Sequence, residues 1–179
     1  MLPSSRATSD EIRRPLIGDG ILSRADVVVD SAFTTGVGPE ELWPWIVQLG
    51  KGRAGWYYPY WLERFLPKKW RGLRYTDPTL QHLQVGDAIG DWSRATMTVW
   101  AIQPSRHLVY NAVTPAGIRF SWALVLEPTS DGTRLHSRTR VAPVKRRRVW
   151  KILGGLSDRL LAAGLSRALR DRLADSRAR

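Results

Sequence analysis

The chain has 179 residues, 43% of them hydrophobic and 25% charged, so a single core is expected and neither wholesale disorder nor a fibrous repeat fits. The absence of cysteine excludes disulfides, thiolate metal sites and a cysteine nucleophile. The net charge of +12 is concentrated late: from Arg138 to Arg179, thirteen cationic residues stand against Asp158, Asp171 and Asp175. Such a field suits nucleic acid, anionic lipid, an acidic partner or plain solvation.

Residues 1–24 are polar, lack sustained periodicity and carry Pro3, Pro15, Gly18 and Gly20. They are expected as an N-terminal arm, either mobile or laid down as an irregular cover, ahead of a single domain over 25–179. No apolar run approaches the roughly 18 residues of a spanning helix, so a soluble, cytoplasmic protein is expected. Between Asp26 and Thr34, Val27, Val29 and Phe33 share one parity and Asp30 and Thr34 the other, the period of a half-buried strand.

Gly38-Pro39-Glu40-Glu41 then opens a helix, because Pro at the first helical position loses no needed donor and carboxylates favour the positive end of the dipole. Leu42, Ile46 and Leu49 give its apolar face, Pro44 a kink near its start and Gly50 its stop. A second short helix is predicted over Pro59–Leu66. After a breaker-rich loop, strands are predicted near 85–92, 95–103, 106–113, 118–127 and 133–142. The short connections at Pro104-Ser105, Thr114–Gly117 and Ser130–Gly132 make an antiparallel meander the economical topology.

In the last two strands Phe120, Trp122, Leu124 and Leu126 point one way, and Leu135, Ser137, Thr139 and Val141 oppose Arg134, His136, Arg138 and Arg140. One face is therefore read as apolar and the other as wet, with a surface role for His136. From Ser157 to about Asp175, Leu160, Leu161, Gly164, Leu165, Ala168, Leu169 and Leu173 form one stripe, with Arg159, Arg167, Arg170 and Arg172 placed largely elsewhere. That is an amphipathic helix of roughly 27 Å.

This order, together with the block Trp43-Pro44-Trp45-Ile46-Val47-Gln48-Leu49-Gly50-Lys51-Gly52-Arg53-Ala54-Gly55-Trp56-Tyr57, resembles the START-like (SRPBCC) superfamily of polyketide cyclase/dehydrase and lipid-transport proteins. Weaker matches follow in order at Trp61-Leu62-Glu63, Leu83–Asp87, Trp122–Pro128 and Thr133-Arg134-Leu135, and the likeness runs from about Asp26 to the end. The resemblance implies an α+β helix-grip fold: a curved antiparallel sheet wrapped around a long C-terminal helix, two short helices after strand one, and an apolar cavity between sheet and helix. The basic stretch Lys145–Lys151 and the long N-terminal arm depart from the pattern.

Gly50–Gly55 matches GxGxxG, but it follows a helix rather than a strand, so the glycines read as an interhelical turn rather than a dinucleotide site. Aromatics with polar edges crowd the connector that follows, and suit the mouth of an amphipathic pocket as well as a plugged core. The candidate ligand-binding residues are Arg53, Trp56, Tyr57, Tyr58, Trp61, Trp100, Trp122, Leu160 and Gly164. Trp92 faces the same choice between pocket and core. Arg53 either holds a ligand carbonyl or carboxylate or fixes the turn.

His82, His107 and His136 lie far apart, and neither HExxH nor GxSxG occurs. No metal, cofactor or catalytic group is assigned; Glu63, Asp87, Asp91 and Glu127 would need burial or a charged neighbour to act as acids or bases. Lys145, Arg146, Arg147, Arg148, Trp150 and Lys151 combine charge with an interfacial ring, a pattern for peripheral contact with an anionic membrane or for a solvated linker. No nucleic-acid module accompanies the charge, so that partner is not expected. The reading is a domain that encloses a small hydrophobic molecule (lipid, polyketide-like or aromatic), with an aromatase/cyclase-like enzyme and a basic membrane adaptor as alternatives.

Overall fold

The computed structural model describes residues 6–90, 95–144 and 163–177. Its centre is a six-stranded sheet in the order β1-β6-β5-β4-β3-β2, with every neighbouring pair antiparallel. The strands are β1 (Val27–Thr35), β2 (Ala88–Gly90), β3 (Thr96–Gln103), β4 (His107–Val113), β5 (Arg119–Thr129) and β6 (Gly132–Ala142). Strands β2 to β6 form the predicted meander, and β1 closes beside β6 through a nine-residue register from Val27↔Val141 to Thr35↔Thr133.

Because β1 and β2 sit at opposite edges, the chain between them crosses the whole sheet, and this crossing carries the helices α2 (Pro39–Val47) and α3 (Tyr60–Glu63). Gly38 caps α2, Pro39 opens it and Glu40 and Glu41 occupy its first turn. Its Leu42, Trp45, Ile46 and Val47 are buried. The C-terminal helix, here α4, is described over residues 163–177. Ala168, Leu169 and Leu173 of α4 are buried in the same core as Phe33 of β1, Leu124 of β5 and Leu135 of β6. This is a helix-grip architecture: a curved open antiparallel sheet around the C-terminal helix, with two short helices after the first strand.

The alternation of β5 and β6 holds, and Trp122, Leu124, Leu126 and Leu135 face the core. The opposite face is not wet, however. His136 is fully buried and Arg138 nearly so, because residues 8–23 lie over them. Helix α1 (Ser9–Arg13) and the short 3₁₀ turn Asp19–Leu22 belong to this layer.

Arg138 is the main tie between the layer and the sheet. It donates to Asp30 (2.7 Å), to Asp19 (2.9 Å) and to the carbonyls of Glu11, Ile12 and Arg14. Arg134 forks onto Glu11 and Arg140 reaches Asp19, Leu22 and Ser23. His136 shares the Asp30 carboxylate at 2.8 Å. Three arginines on one face of β6 therefore clamp the acidic side chains and carbonyls of the arm.

Among the described residues, no helix is long and apolar enough to cross a membrane.

Candidate ligand-binding site

On the core side of the sheet, β4 and β5 carry large aromatic residues opposite one another. Tyr110 and Trp122 are direct register partners, and their rings stack with centroids 5.8 Å apart. Trp56, from the connector after α2, lies tilted against Trp122 with ring centroids 5.7 Å apart. The Trp122 indole donates to Ser137 Oγ (2.9 Å), which fixes its ring.

Three polar atoms here are buried without a partner among the described residues: Trp56 Nε1, Tyr110 Oη and Arg53 Nε. Burial raises the Tyr110 phenol above its ordinary value, with the Arg53 charge pulling it back, so the hydroxyl keeps its proton at neutral pH and can donate. A buried donor without an acceptor costs about 1–3 kcal/mol. Orphan donors among stacked rings are suited to an apolar guest bearing an acceptor oxygen.

The loop that delivers Trp56 follows from its glycines. Gly50, Gly52 and Gly55 adopt φ of 134°, 77° and 80°, which L side chains rarely adopt, and Gly50 and Gly55 exchange backbone hydrogen bonds. The turn is thus a tight interhelical loop, as its position after a helix predicts. Arg53 braces it: one guanidinium nitrogen donates to the carbonyls of Val47 (3.3 Å) and Leu80 (2.6 Å). The terminal nitrogen fixes the turn while Nε remains unpartnered.

The other predicted residues take separate places. Tyr57 is buried one step away, its hydroxyl accepting from Gln48 Nε2 (2.6 Å), its ring edge-on to Trp45 and covered by the Arg172 guanidinium at 4.4 Å. Burial raises its phenol despite the Gln48 bond. Burial likewise raises Tyr58, whose carbonyl accepts from Arg172. Gly164 of α4 lies against Pro59, where an added Cβ would stand 3.6 Å from the proline ring.

Trp61 and Trp100 are exposed at 56% and 46%, and do not join Trp56 and Trp122. Trp100 is the extra residue of a β-bulge: Val99 pairs with Tyr110 and Ala101 with Val109, which leaves Trp100 without a register partner. Leu160, Trp92 and the basic cluster Lys145–Lys151 lie outside the described residues.

Two charged groups outside the candidate ligand-binding residues organise this end of the core, one of them Glu63, which has both the burial and the charged neighbour required of it above. Arg172, expected off the apolar stripe of α4, is fully buried, and Glu63 beside it is also buried. Arg172 donates to Glu63 Oε1 at 2.5 Å and to the carbonyls of Leu73, Ala168 and Gly72. Glu63 Oε1 also accepts from Gly72 N–H. Tyr110 was missed as well; its inward parity opposite Trp122 was the available signal.

A solvent-open cleft of about 350 Å³ lies elsewhere, lined by Glu41, Pro44, Trp45, Arg74, Tyr75, Thr76 and Ser176. Its carboxylate is already forked by Arg177, and none of the orphan buried atoms belongs to its lining. Among the described residues, no group of three His, Asp or Glu is placed to hold a metal ion.

No protein-family model and no curated protein sequence matches the chain. Solved structures do resemble it in fold. Protein MLL2253 from Mesorhizobium loti is 21% identical, covers 84% of this chain and 98% of its own, and superposes with a TM-score of 0.52. A Rhodobacter sphaeroides protein is 16% identical, with 85% and 95% covered and a TM-score of 0.56. DynU16, described as a putative protein in the dynemicin biosynthetic locus, is 13% identical with a TM-score of 0.54; the match covers 83% of this chain and 48% of DynU16. These likenesses are of fold, and the relatives named are bacterial where their source is given.

Proposed function

We propose that the protein binds a small hydrophobic molecule carrying a carbonyl or similar acceptor oxygen, against the aromatic wall of Trp56, Tyr110 and Trp122. The observation that carries this is the set of orphan polar atoms at Trp56, Tyr110 and Arg53, next to rings that supply apolar contact area. Apolar burial supplies affinity at about 25 cal/mol per Å², and the acceptor oxygen fixes orientation. The START-like sequence pattern supports the same reading, and it makes lipids, polyketide-like compounds and aromatic ketones the classes to try.

The test is a pair of matched probes, 2-acetylnaphthalene and 2-ethylnaphthalene, titrated against tryptophan fluorescence. The ketone binds up to about tenfold tighter, the worth of one buried hydrogen bond. Equal affinities, or binding of neither, would refute the assignment of the orphan donors.

A second reading, an aromatase/cyclase-like enzyme acting on a poly-β-carbonyl chain, draws support from the protonated Tyr110 hydroxyl on the core face beside the Arg53 charge. That group can donate to a substrate carbonyl and polarise it. This reading requires turnover of a poly-β-ketone that Tyr110→Phe slows, beyond any loss of binding.

A further inference from the structure

The segment following the aromatic connector exposes more apolar ring than a soluble surface ordinarily shows. Trp61 and Phe65, four residues apart, share one face of α3 and its continuing turn, and Phe65 is 71% exposed. Trp70 and Tyr75 are exposed a few residues on. The opposite face carries Glu63, turned inward to Arg172. From Trp61 to Tyr75 the cations are Arg64, Lys68, Lys69, Arg71 and Arg74, and Glu63 is the one carboxylate in that stretch of sequence. With Glu63 turned inside, the charged side chains described on the outer surface of this segment, Arg64, Lys68, Arg71 and Arg74, are all cationic.

The segment is also held in shape. Arg71 donates through Nε to the carbonyl of Leu66 and through its terminal nitrogen to that of Arg64, which ties the 3₁₀ turn Lys68–Trp70 back onto the end of α3. Arg64 lies 5.0 Å over the Phe65 ring, and Arg74 lies 3.8 Å over Tyr60. Rings and cations are thereby presented together on one knuckle rather than scattered along a loose loop.

We infer that residues 61–75 form a docking surface for an anionic lipid bilayer, with Trp61 and Phe65 entering the headgroup boundary and Arg64 and Lys68 meeting lipid phosphates. Indole and phenyl rings favour that boundary, and cations near an anionic surface add attraction that falls within a Debye length. Charge complementarity selects the partner: a neutral apolar partner would leave these cations facing nothing. The inference stands apart from the ligand reading, since no residue of the aromatic wall takes part.

The experiment is co-sedimentation of the full chain with phosphatidylcholine vesicles containing 30% phosphatidylglycerol, and with pure phosphatidylcholine, at low and high salt. Binding is expected on the anionic vesicles alone and is expected to weaken with salt. Arg64→Glu with Lys68→Glu lowers it at least tenfold, given about fivefold per cation near the surface. Trp61→Ser with Phe65→Ser lowers it to a similar degree. On the unaltered protein, brominated phosphatidylglycerol quenches tryptophan fluorescence, and Trp61→Phe reduces that quenching.

Equal binding to neutral vesicles would overturn the inference, as would binding unchanged by these variants but abolished by reversing the charges of Lys145–Lys151. Self-association that Trp61→Ser with Phe65→Ser removes, with no vesicle binding, would assign the knuckle to a second copy of the chain instead. Loss of 2-acetylnaphthalene binding in any of these variants is not expected, so the two readings fail separately.

Discussion

Arg172 and Glu63, 109 residues apart in sequence, meet as a fully buried ion pair between the C-terminal helix and the turn of α3. The guanidinium is bonded to four backbone carbonyls besides, and lies over the rings of Tyr57 and Tyr60. The pair therefore joins three pieces of chain: α4, α3 and the backbone at Gly72 and Leu73.

Removing one partner strands a charge in the core. Glu63→Ala is expected to cost about 3–5 kcal/mol in urea denaturation, whereas Glu63→Leu combined with Arg172→Met recovers most of that loss. A single-variant loss below about 1 kcal/mol would mean that the pair is solvated in solution.

Gly72 is wedged between the same groups. An added Cβ would stand 2.7 Å from the Arg172 guanidinium and 2.9 Å from the Tyr57 ring, both locked by their other contacts. Gly72→Ala is expected to destabilise by about 1–3 kcal/mol, the usual range for overpacking. Gly52→Ala separates crowding from backbone strain, because Gly52 has a positive φ but open space around it. It should cost less than Gly72→Ala.

The arm carries its own acid sensitivity. The Arg134 hydrogen bond, with help from the Thr8 backbone, holds the Glu11 carboxyl at about 2 against an ordinary 4.5. A depressed carboxylate stabilises the folded arm fully above its unfolded value and loses that contribution as pH falls through the folded one. Amide exchange over residues 8–22, corrected for intrinsic rates, should therefore be slow at pH 6 and accelerate between about pH 4.5 and 2. Glu11→Gln should show the faster exchange already at pH 6; identical exchange in the two proteins would contradict the clamp.

Tyr110→Phe distinguishes a binding wall from a merely imperfect core. Deleting an orphan hydroxyl removes a desolvated group, so the urea midpoint is expected to hold or to rise by the equivalent of about 1 kcal/mol. The ketone probe should bind more weakly at the same time. A large loss of stability would show that the hydroxyl has a structural partner.

Much of the fold was legible because alternation is local. Phe120, Trp122, Leu124 and Leu126 announce their face without reference to any other strand, and Pro39 with Glu40 and Glu41 announces a helix start. Pairing is not local, and there the sequence misleads. The bulge at Trp100 is invisible to a parity count, and its ring is exposed rather than packed beside Trp122. Arg172, placed off the leucine-rich stripe, reads as a solvated charge until Glu63 is known to face it. His136 and Arg138 read as wet because the arm has no periodicity of its own. Its Glu11 and Asp19, complementary to Arg134, Arg138 and Arg140, were the signal that it has a place to lie.

The aromatic wall is tested most directly by the indole N–H resonances of the protein as 2-acetylnaphthalene is added, assigned by Trp56→Phe and Trp122→Phe. The account predicts a downfield shift of the Trp56 indole proton as it gains an acceptor, ring-current shifts at Trp122, and little change at Trp61 and Trp100. Shifts confined to Trp61 and Trp100, with Trp56 and Trp122 unmoved at saturation, would contradict it.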